Sequence, residues 1–145
     1  MLDAWGGTEV VPVYPSDIEI EQGREHLRCY QLNENGLFRW AAACCRSPVF
    51  NTQPGFPWAG IPAKAYTNVR ADALDGLGDV RCRIYGRDAK GEAPFPISSK
   101  IAFRDMMVVL PFIIKGKLLG KHRHSPFFES DGKTPTVTPE ILGSR

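Results

Sequence analysis

The sequence predicts a mostly β fold, antiparallel sheets with one C-terminal α-helix, and three observations carry that expectation. Short alternating or β-branched stretches broken by turn residues fill positions 9 to 60. A single long apolar stretch opens after Ser98 and closes at Gly120. With 145 residues, 43% of them hydrophobic, the chain fits one compact domain, 1–145, with one core.

Taken in order, the expected strands are Val10 to Tyr14, Asp17 to Glu21, His26 to Leu32, Leu37 to Ala43 and Pro48 to Thr52. Asn33, Glu34, Asn35 and Gly36 separate two of these runs and read as a hairpin turn. Pro54, Gly55, Pro57, Gly60, Pro62, Gly76 and Gly78 punctuate positions 53 to 79 too often for long elements, so loop with short extended pieces is expected there. Val80 to Tyr85 alternates again and places Cys82 on the same face as Val80 and Ile84, as a core residue.

Ser98 or Ser99 caps the predicted helix, about 98–119. Apolar residues cover most of its circumference, and the expectation is that it packs on the sheet through Phe103, Met106, Leu110, Ile113 and Ile114. Pro111 lacks an N–H and crowds the Met107 carbonyl, which predicts a mid-helix kink. Pro126, Gly132, Pro135 and Pro139 make 121–145 an extended tail.

The formal charge of +2 excludes a strong polyelectrolyte and gives no signal for nucleic acid. Its distribution is uneven. Asp3, Glu9, Asp17, Glu19, Glu21 and Glu25 face only Arg24 in the first 25 residues, whereas Lys115, Lys117, Lys121 and Arg123 lie close together with His122 and His124. That basic group is the candidate anion-binding site, for a phosphate, a carboxylate or a lipid head group. The start Met1-Leu2-Asp3-Ala4-Trp5 lacks the pattern of a secretory signal. Met106 to Ile114, the longest apolar run, is far short of the roughly 20 residues of a membrane span. The expectation is a cytoplasmic protein without a transmembrane segment, peripheral membrane contact being admitted, and with its four cysteines reduced.

Cys44 and Cys45 are the candidate metal ligands, since thiolates at a strand end can hold zinc. Against this, neighbouring cysteines rarely share one tetrahedral ion, and Cys29 and Cys82 stand apart in sequence. His122 and His124 have a ligand-like spacing, but Lys121 and Arg123 oppose a cation there, which favours a solvated basic turn. Gly76-Leu77-Gly78 lacks the further glycine and the helix of a phosphate loop. No hydrolase triad or zinc-protease motif occurs, and Asp72, Asp75 and Asp79 read as loop acids.

Several runs together carry a family likeness: Gly6-Gly7-Thr8-Glu9, Leu27-Arg28-Cys29-Tyr30-Gln31-Leu32, and the long run from Gly36-Leu37-Phe38-Arg39-Trp40 through Cys44-Cys45-Arg46-Ser47-Pro48 to Thr52. With Tyr85-Gly86-Arg87 and Ser125-Pro126-Phe127-Phe128, the chain resembles a bacterial branch of the β-tent proteins related to glutathione-dependent formaldehyde-activating enzyme, the superfamily that also holds centromere-protein-V-like domains. The resemblance implies a β-tent-like fold and a zinc-dependent carbon–sulfur lyase acting on a small thiol adduct such as a glutathione adduct. Family members hold zinc through a front C-x-C-x-x-C segment and a later C-x-x-C-G-x-P segment. Cys45, followed by Arg46-Ser47-Pro48, matches the second cysteine of the later segment, with Ala42 at the first cysteine and Arg46 at the glycine. The front segment has no counterpart, which reads as an N-terminally incomplete domain and leaves the catalytic residues unknown.

Three functional readings follow: a relative of the zinc-thiol lyases with an incomplete metal site, a non-catalytic binding module using the basic C-terminal helix, and an inactive remnant.

Overall fold

The computed structural model describes residues 2–143. Met1, Ser144 and Arg145, the ends of the expected domain and tail, lie outside the described residues. Val10–Val13 (β1), Leu27–Gln31 (β2), Phe38–Ala42 (β3), Pro48–Thr52 (β4), Ala59–Pro62 (β5) and Glu140–Ile141 (β6) form one six-stranded sheet, ordered β1-β5-β4-β3-β2-β6. Strands β1 to β5 pair antiparallel, whereas β6 runs parallel to β2, opposite Tyr30 and Gln31. The sheet is therefore mixed. A short helix, α1 (Ala63–Thr67), follows β5, and the long helix is α2 (Phe103–Leu118). With 21% of residues helical and 19% in strands, this is a small α+β fold.

Alternation in β2 sends Leu27, Cys29 and Gln31 inward and Arg28 outward. Beside them lies Trp40 of β3, fully buried, whose indole N–H donates to Thr52 Oγ1 of β4 at 2.8 Å. The other side of this cluster comes from the chain after α2. Phe127 stacks obliquely on Trp40 (5.0 Å between centroids) and on Phe50 (4.8 Å), and Phe128 meets Phe38 edge-on at 5.4 Å. The segment expected as an extended arm thus closes the core. Asp131 anchors its turn, accepting the Thr134 hydroxyl at 2.6 Å and the Lys133 and Thr134 amides at 2.8 Å, and these bonds bring its carboxyl down to about 2.

Two expected strands do not join the ladder. Pro15 starts a 3-10 turn over Pro15–Asp17, after which Ile18 and Ile20 pack against the core without strand pairing. Val80 to Tyr85 has no strand partner either, and it ends in Tyr85 with a left-handed φ of 58°. Cys82 is consequently half-buried and outside the core cluster. Alternation permits a strand, but it does not supply the partner strand that a ladder needs.

Candidate functional site: the outward face of the long helix

The first turn of α2 is set by Asp105, whose carboxylate accepts the Ala102 amide at 3.0 Å. The Ser98 hydroxyl, with that amide, holds the Asp105 carboxyl below its ordinary 3.8. An anion at this position complements the helix dipole. The serine expected as the cap therefore acts through Asp105, and the helix opens at Phe103 instead of at Ser98. At the other end the Gly120 amide bonds the Lys117 carbonyl (3.1 Å) and the Lys121 amide bonds the Gly116 carbonyl (2.8 Å), with Gly120 left-handed at φ 67°. This double reversal is a Schellman stop.

One narrow face of α2 attaches to the domain. Tyr14 stacks on Phe112 at 4.2 Å and its hydroxyl donates to the Phe112 carbonyl at 3.0 Å. One turn on, Gly116 is buried so tightly that a Cβ there would lie 2.6 Å from the Tyr14 ring and 2.7 Å from Pro57. The Lys117 ammonium donates to the Gly55 carbonyl at 2.6 Å, and Lys121 pairs with Asp17 at 2.5 Å.

The opposite face looks outward, contrary to the expected packing. Phe103 is 81% exposed, Leu118 82%, Met107 51%, Ile114 49% and Met106 42%, while Leu110 and Ile113 are half-buried. Phe103, Met107, Ile114 and Leu118 recur at helical spacing and form one stripe. Pro111, Ile114, Lys115, Leu118 and Leu119 line a shallow apolar depression along it. Asp105, the single acid of the helix, is buried, so the outward face carries only positive charge, from Arg104 and Lys115.

The basic residues singled out in the sequence do gather at the C-terminal end of α2, but in different roles. Lys121 and Lys117 tie the helix to the domain. Lys115 and the exposed Arg123 form no ion pair among the described residues. His122 is half-buried with Nδ1 lacking a hydrogen-bond partner, and burial, together with Lys117 and Arg123, holds its pKa below 6.5.

Cys44 and Cys45 occupy the exposed turn between β3 and β4, where Arg46 takes a φ of 55° and its amide bonds the Ala42 carbonyl at 2.8 Å. The Ser47 hydroxyl, 3.1 Å from Cys45 Sγ, lowers the Cys45 pKa, whereas Cys45 raises that of Cys44. Cys29 lies buried in the core, its thiol pushed up to about 11 by desolvation. Among the described residues no three His, Cys, Asp or Glu side chains converge as metal ligands. Cys44 and Cys45 alone supply half of a tetrahedral zinc shell, so these residues do not fit the zinc that the resemblance implies.

A cleft of about 500 Å³ between sheet and helix is lined by Tyr14, Asp17, Glu19, Phe50 and Tyr66 among others, and by no histidine, cysteine or serine. Asp17 is held there by Lys121, which lowers its pKa, and the Tyr66 phenol is pushed up by burial. The lining supplies no nucleophile paired with a base. Among the described residues no helix is long and apolar enough to cross a membrane.

Apolar residues surround α2 on most sides, so the sequence leaves its outward face unmarked; Gly116 is its signal for the docked side. No curated protein and no solved structure matches the chain. A family model does match residues 1–138, nearly the whole of the fold just described, and on that extent the chain belongs to the Family of unknown function (DUF6151).

Proposed function

We propose that this protein is a binding module, a β-tent-like domain that holds α2 out as its docking surface. The observation that carries this reading is the two-sided helix: Gly116 and Phe112 fasten one face, while Phe103 and Leu118 on the other stay more than four-fifths exposed. A contiguous apolar stripe left in water is unfavourable in a free domain and is the usual mark of an interaction site. The positive charge beside it supports an anionic partner. The lyase reading implied by the resemblance draws only on Cys45, whose lowered pKa favours a thiolate, and two adjacent thiols give that chemistry no complete site.

The test replaces Ile114 and Leu118 by serine. Both sites being outward, thermal stability should change by no more than about 0.5 kcal/mol per substitution. Binding of anilinonaphthalene sulfonate, an anionic apolar probe, should fall in parallel. A cooperative loss of fold would show the face to be core and remove the binding-module reading.

A further inference from the structure

We propose that the outward face of α2 docks onto an anionic phospholipid surface, its apolar stripe entering the boundary between head groups and acyl chains and its flanking bases meeting lipid phosphates. This rests on the reading of α2 as a docking surface and names the partner.

Geometry suits a helix lying in the plane of an interface. The 16 residues of α2 extend about 24 Å. Phe103 stands at one end of the stripe and Leu118 at the other, so the whole length can contact a flat surface at once. At helical spacing Arg104 and Lys115 fall along one side of the stripe, while Lys117 on the other side is bonded to the Gly55 carbonyl. Bases flanking an apolar stripe are the arrangement of interfacial helices, whose long basic side chains reach back toward the head groups.

Charge selects this occupant over the alternatives. A second copy pairing face to face through α2 would set Arg104 and Lys115 against the same bases, with no exposed acid on the helix to compensate. Asp17, which reaches the chain just beyond the helix, is already paired with Lys121. A hydrophilic polyanion would meet the bases but would leave Phe103, Met107 and Leu118 in water. An anionic bilayer satisfies both sets of groups.

The experiment compares co-sedimentation with vesicles of phosphatidylcholine alone and with about one-third phosphatidylserine, at low and moderate salt. Binding should require phosphatidylserine and weaken with salt. Arg104→Ala with Lys115→Ala removes the bases of α2 that do not fasten the helix, and each base near such a surface is worth about fivefold, so partitioning should fall about 30-fold. Ile114→Gln with Leu118→Gln should abolish binding to the same vesicles while heparin binding persists. Because those substitutions could act on folding, Leu118→Trp provides a second measurement, and its emission should shift to the blue with phosphatidylserine vesicles. Equal binding to both vesicles, no binding, or binding to heparin alone would overturn the lipid assignment. Self-association abolished by the Ile114 and Leu118 variant, without vesicle binding, would overturn it in favour of a second copy and leave the binding-module reading standing. Unfolding of that variant, with no shift at Leu118→Trp, would overturn both.

Discussion

Trp40 and His122 show how a single polar atom inside the domain controls its stability. The Trp40 indole N–H has no access to water and is satisfied by Thr52 Oγ1. Thr52→Val keeps the shape but leaves that donor unpaired, so unfolding free energy should fall by about 1–3 kcal/mol, measured by urea denaturation. At His122 the folded pKa lies below the ordinary 6.5. The unfolded chain therefore takes up the proton first, and stability falls as pH drops from about 6.5 toward the lower folded value. Melting temperatures measured from pH 7.5 to 5.5 should show that decline, and His122→Asn should flatten it. An unchanged slope would mean that His122 is protonated without cost. Alternation puts Leu27, Cys29 and Gln31 on one face of β2, yet the same rule puts Cys82 in the core, and only strand pairing decides between the two cysteines. The role of Thr52 was hidden, because only strand pairing brings it to Trp40.

Among the elements, α2 is the one whose place depends on a small residue. Gly116 lets the Tyr14 ring and Pro57 approach the helix axis closely. Gly116→Ala gains helix propensity but forces a methyl into contacts of 2.6 and 2.7 Å. Overpacking of this kind costs about 1–3 kcal/mol, which exceeds the roughly 1 kcal/mol of propensity gained, so net destabilisation is expected by thermal or chemical denaturation. A more stable Gly116→Ala protein would mean that the helix can lift from Tyr14 without consequence. The existence and the end of α2 were legible, from the apolar run and from Gly120; its first turn was not. Asp105 and Ser98 set the start together, and a carboxylate three residues inside the helix outcompeted serine as the capping group.

For the molecule as a whole, the decisive contact joins the sheet strands β3 and β4 to the segment after α2. Phe127 arrives from beyond the helix to fill the space between Trp40 and Phe50. Phe127→Ala should therefore cost about 3–5 kcal/mol, and removal of the chain from residue 121 onward should leave the sheet unable to fold cooperatively, as read by near-UV circular dichroism and denaturant titration. A truncated chain with a native-like transition would return 121–143 to the status of an arm. The local patterns of the sequence determined the strands Leu27–Gln31, Phe38–Ala42 and Pro48–Thr52, the hairpin order between them and the single long helix, because periodicity and turn chemistry act over a few residues. Tertiary structure alone decided that Phe127 and Phe128 belong to the core, that Lys117 and Lys121 fasten the helix, and that Phe103 and Leu118 face water. A helix apolar over most of its circumference carries little record of its docked side; that side is selected by the shape of Tyr14 and Pro57 against Gly116, far from it in sequence.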